Sequence, residues 1–311
     1  MRIFILLVIS LSFLALAGGE EKKYLCSFLK NESVFNGKTE GNSVWDNIPA
    51  GANFNCLGGH SLADKQTSFK MGYTAEALYI AIKCQEPEMD KIKASSKDEQ
   101  EFFAEPEDRV EVFLFPKETE EYYQFAVNAA DSRWNGMGGA PRSLGNWQAQ
   151  VYKGENCWLV EIKIPFEIFR RVPEKGEVWT GNICRSIHTS GYKHASWASV
   201  KTRFHEPENF GKFVFLDEIS SKALAPVIDS NLKELTAYKN EFSEAARKTP
   251  SIAEVVSSFI KKYEIIEEEI PRADSTAAQG NIFLKRTDNL LKEANKIKYK
   301  VLLEDFFSQS A

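Results

Sequence analysis

Excess basic charge is missing from this sequence: 39 Lys and Arg stand against 44 Asp and Glu, a formal net charge of −5 over 311 residues. A protein that neutralises a phosphate backbone needs a basic face from which counterions are released, so nucleic acid is excluded as a partner. Long apolar runs are missing too. Ile3 to Leu16 is the one long apolar run, and no later stretch approaches the roughly 18 residues that a spanning helix needs. The five cysteines include no CxxC pair, which removes zinc-ribbon and thioredoxin-like chemistry, and their odd number allows at most two disulfides. The four histidines have no metal-ligand spacing, so they are read as surface or satisfied core residues, and GxSxG, HExxH and P-loop patterns are absent. Glu105, Glu107 and Asp108 adjoin in sequence, but adjacent acids in a loop are ordinarily solvated, and no nucleophile with a base accompanies them. The chain is not read as an enzyme.

What is present divides into unequal parts. Hydrophobic residues make up 43% and charged residues 27%, which is ordinary globular composition. From Ile219 onward there are 14 basic and 14 acidic residues, so the net acidity belongs to the first 218 positions, together with every Trp, His and Cys. Residues 1–17 have the form of a secretory signal peptide: Arg2, an apolar run, and Ala15-Leu16-Ala17 ahead of Gly18. The expected location is secreted, periplasmic or cell-surface, with cleavage near Ala17. A lipid anchor would need a cysteine directly after the cut, and the first is Cys26.

From Lys65 the hydrophobic period is two. Ser68 to Tyr73 and Leu78 to Cys84 alternate, and Thr74-Ala75-Glu76 is short enough to join them as a hairpin. Further strands are expected over Asp108 to Phe115, Tyr122 to Asn128, Trp147 to Tyr152, Trp158 to Ile164, Val178 to His188 and Phe210 to Leu216, with one helical turn at Phe166 to Arg170. Many short strands separated by Gly, Pro and Asn turns predict a mainly β fold, an antiparallel sandwich of jelly-roll or immunoglobulin-like type. Alternation sends Val110, Val112 and Leu114 to the core, with Tyr123, Phe125 and Val127 beside them. Arg109, Glu111, Gln124, Ala126 and Asn128 then share the opposite face. On pattern alone that face is an ordinary solvated one. By parity Arg185 points inward with Ile183 and Ile187, as the buried partner of a carboxylate.

The sequence resembles the family 9 carbohydrate-binding modules and the wider DOMON-like sandwich group over residues 24–216. The pieces that carry the resemblance, in order, are Phe35-Asn36-Gly37-Lys38 with Trp45, Leu78-Tyr79-Ile80-Ala81, Glu107 to Leu114, Tyr123 to Asn128, Trp158 to Phe166, Trp179 to Arg185, and Phe204 to Gly211. The resemblance implies a two-sheet sandwich that binds the end of an oligo- or polysaccharide between two aromatic rings, often beside structural calcium. Pyranose rings present apolar C–H faces and polar rims, which such a site matches. One clamp ring falls on Phe204. The other lies just ahead of Asp108, where Phe102 and Phe103 stand, and Phe103 is taken as the ring. Glu111, Gln124 and Asn128 fall on the family's polar positions. An arginine and a glutamine of the family's site correspond to Ala126 and Cys184, and Arg109 is placed to restore the positive charge. Asp90, Asp108 and Asp131 offer oxygen ligands for calcium, but no metal site is assigned.

Trp45, Trp158 and Trp179 are assigned to the core, while Trp134 and Trp147 flank a Gly-rich loop and are equally consistent with a pocket rim or a pinned loop. Two alternatives to sugar binding remain. Some DOMON-like relatives carry haem on Met and His or Lys, although Met71 reads as core. A sandwich without a ligand, serving as a structural or partner-binding module, is the other.

Residues 217–311 change to a period of 3.6. Stripes at Ile228, Leu232, Leu235, Phe242; at Ile252, Val255, Phe259, Tyr263, Ile266, Ile270; and at Leu290, Ala294, Ile297, Val301 predict three amphipathic helices. Breaks fall at Thr249-Pro250-Ser251, with Ser251 as N-cap, and at Pro271 to Gly280. The stripes are expected to bury against each other as a bundle, with a protein partner or self-association as the alternative use.

Overall fold

The computed structural model describes residues 21–29, 37, 44–58, 61–95, 102–189, 191, 193–272 and 274–309, with side chains to 303. The expected signal peptide, Phe35, Asn36, Lys38 and His60 lie outside the described residues. In chain order the strands are β1 (Lys23–Phe28), β2 (Asn55–Cys56), β3 (Thr67–Tyr73), β4 (Ala77–Gln85), β5 (Arg109–Phe115), β6 (Tyr123–Asn128), β7 (Arg133–Met137), β8 (Ala140–Pro141), β9 (Gln148–Lys153), β10 (Cys157–Pro165), β11 (Val178–Ile187), β12 (Lys193–Ser196) and β13 (Gly211–Phe215). The helices are α1 (Phe166–Phe169), α2 (Ala225–Lys248), α3 (Ala253–Glu268) and α4 (Ala277–Gln309).

The strands form one curled sheet in the order β8-β7-β6-β5-β11-β13-β1-β3-β4-β10-β9, with β12 paired to β11 and β2 to β12. The expectation of a wholly antiparallel sheet is corrected at β1. Its first part, Lys23 to Cys26, runs parallel to β13, and Ser27 and Phe28 run parallel to β3. The sheet is therefore mixed, and β1 carries the chain from one half to the other. Parallel neighbours are joined by long crossovers rather than hairpins, so no local turn announces them.

The two halves enclose one core. Val110, Val112 and Leu114 meet Ile80, Ile82, Val160 and Ile162 in a single buried cluster, and aromatic edges fill its middle, with Tyr73 on Phe215 at 5.1 Å and Trp179 on Phe169 at 5.0 Å. Each such side chain contributes roughly 1.5–3 kcal/mol by leaving water. Trp45, Trp158 and Trp179 are buried as expected, and Met71 is enclosed with its sulfur 3.5 Å from Cys26 Sγ. Arg185 is fully buried against Glu86, at 3.3 Å, as its parity predicts. The β3–β4 turn is held by Thr74, whose hydroxyl accepts from the amides of Glu76 and Ala77 at 3.1 and 3.3 Å. All five cysteines are free thiols.

Helices α2, α3 and α4 pack together through Leu235, Phe242, Phe259, Tyr263, Ala294 and Ile297. Leu232 and Val255 are only partly buried and Ile270 is exposed, so the stripes are narrower than the sequence pattern. Helix α3 starts from a 3-10 turn at Pro250–Ile252, with Ile252 as its N-cap and no side-chain cap bond, so Ser251 does not serve. The bundle is continuous with the sheet's core and pinned to it by polar contacts. Arg170, in a left-handed conformation at the end of α1, reaches Asn231 and Asp288, while Asn281 exchanges two hydrogen bonds with the backbone of Val172.

Candidate functional site

Registers on β7, β6, β5, β11 and β12 align three rows of side chains on the outer face of this half. Asn128, Arg109, Ser186 and His194 form one row; Trp134, Ala126, Glu111, Cys184 and Ser196 the next; and Gly136, Gln124, Phe113 and Asn182 the third. Arg109, Glu111, Gln124 and Asn128 share one face, as alternation predicts. All four are buried, where the pattern predicts a solvated face.

They are buried because two loops fold over the face. The first precedes β5 and is anchored by Glu107 and Asp108, which are buried and not solvated. Glu107 accepts from the Ser95 amide at 2.6 Å and from Asn128 Nδ2 at 2.7 Å, and Asp108 accepts from the amides of Lys93 and His188, each at 3.0 Å. Burial raises the Asp108 carboxyl, and these two amide donors oppose that rise. The anchored loop lays Phe102 on Ala126 and Trp134, in the space that a longer residue at 126 would take. Gly136 leaves room for the Trp134 ring, which a Cβ there would meet at 2.4 Å. Phe103 stands above, 41% exposed, edge-on to Trp134 at 5.0 Å and 4.6 Å over the Arg109 guanidinium.

The second loop joins β12 to β13 and is built around Glu206. Its carboxylate accepts from the amides of Lys201, Thr202 and Arg203, from the Thr202 hydroxyl and from Asn209 Nδ2. Burial works against its charge, but these donors more than offset that and hold the carboxyl down at about 2. The loop packs Phe204 into the face with Cys184 and Val200, 7% exposed, its ring edge-on to His194 at 4.9 Å. His205 bonds the Tyr122 hydroxyl through Nδ1 at 2.7 Å and lies 5.3 Å from the Phe113 ring. Phe103 and Phe204 therefore sit on opposite flanks of the Arg109–Glu111 strip. Phe103 is half exposed and Phe204 is buried.

Between the rings Glu111 organises the polar contacts. Arg109 Nε donates to one of its oxygens at 3.2 Å and Gln124 Nε2 to the other at 2.8 Å. Arg109 Nη1 and Gln124 Oε1 are buried with no hydrogen-bond partner among the described residues. Leaving such an atom unsatisfied costs about 1–3 kcal/mol. Arg185 Nε and Trp158 Nε1 are in the same state elsewhere, but here the two orphaned atoms belong to side chains held by one carboxylate. Asn128 is held by its own loop: its Oδ1 accepts from the amides of Ala130 and Ser132 and its Nδ2 donates to Glu107.

His188, His194 and His205, read from sequence as surface or satisfied core residues, gather at this face. Burial first, then the positive charges of Arg109 and Lys93, pushes His188 down to about 4. Burial, Arg109 and His188 push His194 down to about 4, and burial also lowers His205. All three belong to the face or its covering loops. The parity of His194 on a short polar strand was the only available signal, and the strand itself went unrecognised.

Trp147 belongs to the core, edge-on to Phe125 at 5.2 Å, and its Nε1 donates to Asn135 at 2.6 Å. Calcium fits poorly: Asp108 is committed to backbone amides, Asp90 and Asp131 are exposed, and no group of three His, Cys, Asp or Glu side chains converges among the described residues.

No curated protein matches the chain. A family 9 carbohydrate-binding module of Caldicellulosiruptor kristjanssonii in complex with glucose is 15% identical with a TM-score of 0.49, covering 62% of this chain and 95% of the module. The complex with cellotriose gives 14% and 0.49, covering 63% and 94%. The model of the family described as carbohydrate family 9 binding domain-like matches residues 36–218, more than half of the sequence, and the chain belongs to that family.

Proposed function

We infer that the protein is an exported, non-catalytic sugar-binding module that takes the end of an oligo- or polysaccharide on the outer face of β5 and β6. One observation carries this reading. Arg109 Nη1, a donor, and Gln124 Oε1, an acceptor, have no hydrogen-bond partner among the described residues on either side of Glu111, beneath the half-exposed Phe103 ring. Neighbouring hydroxyls of one sugar ring satisfy such a pair, one accepting from arginine and the other donating to the amide or the carboxylate. Phe103 supplies an apolar surface for a pyranose C–H face. Phe204 enters as the packed wall that holds His194, and the DOMON-like sandwich is the frame in which both loops are set.

The relatives' ligands, glucose and cellotriose, name the first probes. Affinity electrophoresis and a broad glycan array test the reading. Retardation by a soluble glucan, or binding of a defined glycan, is expected. No binding to any glycan at millimolar concentration overturns it. The haem alternative gains nothing from Met71, whose sulfur lies in the core against Cys26.

A further inference from the structure

The face of α4 that points away from the bundle carries a second surface, unrelated to the sugar site. Helix α4 buries Leu290, Ala294, Ile297 and Val301 against α2 and α3. Tyr299, Leu302 and Leu303 follow the i, i+3, i+4 spacing on the opposite side and are 72%, 54% and 56% exposed. Lys292 and Lys296 precede Tyr299 by seven and three residues and therefore share that face, while Lys298 and Lys300 flank it. All four lysines are exposed, and none has an ion pair with a described residue. The single acid between 292 and 303, Glu293, is taken by Lys262 at 2.8 Å. Apolar side chains lie along the middle with Lys292, Lys296 and Lys300 along one margin, while Lys298 on the other lies 5.5 Å over the Tyr238 ring.

The charge pattern decides the occupant. A second copy laid on this face across a two-fold axis would set lysines against lysines. Three apolar side chains on a convex helix also fall well short of the roughly 800 Å² per partner of a stable protein interface. A bilayer surface asks for what is present: a shallow apolar strip to enter the headgroup boundary, and lysines whose stems lie along it while their ammonium groups meet anionic headgroups. We propose that the outer face of α4, through Tyr299, Leu302, Leu303, Lys296 and Lys300, docks the protein on an anionic lipid surface.

Co-sedimentation of the full chain with vesicles tests this, using phosphatidylglycerol mixed into phosphatidylcholine against phosphatidylcholine alone. Binding is expected to the anionic vesicles only and to weaken as salt is raised. The pair Lys296→Glu with Lys300→Glu lowers the apparent affinity at least about tenfold. The pair Leu302→Ser with Leu303→Ser also lowers it, and both variants keep the parent's circular dichroism and melting temperature because the altered residues are exposed. Three outcomes overturn the proposal: no binding to anionic vesicles, binding that both variants leave unchanged, or a dimer in sedimentation velocity that the leucine variant abolishes. Sugar binding is unaffected by either variant, so the two functions are scored separately.

Discussion

Two glutamates occupy equivalent places in the two halves of the sheet, and they have opposite roles. Glu111 lies in Arg109-Val110-Glu111-Val112 and Glu161 in Leu159-Val160-Glu161-Ile162, each on an outward position between two core residues and each buried. Glu161 is held otherwise: Trp45 Nε1 donates to one oxygen at 3.4 Å and the Gly37 amide to the other at 2.9 Å, beneath the buried Trp45 ring, with the Tyr152 hydroxyl beside it. Glu111 holds Arg109 and Gln124, whose Nη1 and Oε1 have no hydrogen-bond partner among the described residues, beneath the half-exposed Phe103 ring. A buried carboxylate whose donors are otherwise satisfied fastens the fold. One that presents orphaned donors and acceptors is arranged for something that arrives later.

The sharpest way to break this comparison is to exchange the outcomes of two substitutions. Glu111→Ala should lower affinity for a bound glycan about a hundredfold by releasing Arg109 and Gln124 from position. Glu161→Ala should leave that affinity unchanged and cost about 2–3 kcal/mol of stability in denaturant unfolding, because Trp45 Nε1 and the Gly37 amide lose their acceptor. If calorimetric titration and unfolding give the reverse, the assignment of roles is wrong. A smaller effect is expected at the stacking ring. Phe103→Ala should weaken binding about tenfold, in the range of one aromatic contact, with little change in melting temperature because the ring is half exposed.

Acid separates the two halves more gently. His188 and His194 titrate near 4 in the folded protein against 6.5 for the free side chain, so the unfolded chain takes up protons first. Stability should therefore fall as pH drops from about 6.5 toward 4. Glu206 adds a loss at lower pH: its contribution is complete above the usual glutamate range and disappears as pH falls toward about 2. Thermal melts across this range check the sign, and His194→Gln should flatten the upper part of the slope.

Much of the architecture was legible in the sequence because it is local. Alternation found β3, β4, β5, β6, β9, β10, β11 and β13 within a residue or two, sorted Val110 and Arg109 to opposite faces, and turned Arg185 inward. The 3.6 period found the bundle. What escaped depends on distant partners. β1 is a short strand whose neighbours are parallel and remote, β7 is interrupted by Gly136, and β12 is four residues long. The polar face was legible as a face but not as a buried one, because its burial comes from the loops built on Glu107 and Glu206. No periodicity encodes where those loops fold. The histidines were passed over for the same reason: their lowered pKa comes first from burial at this face, not from spacing to one another.

The central claim is that Arg109, Glu111 and Gln124 are kept polar for a sugar and not for the fold, and the triple variant Arg109→Met, Glu111→Leu, Gln124→Leu tests it most directly. Replacing a buried ionic network with apolar residues of similar volume is often neutral or stabilising. The account predicts an unchanged or raised melting temperature together with complete loss of glycan binding. A variant that melts several degrees lower yet still binds the glycan would contradict it.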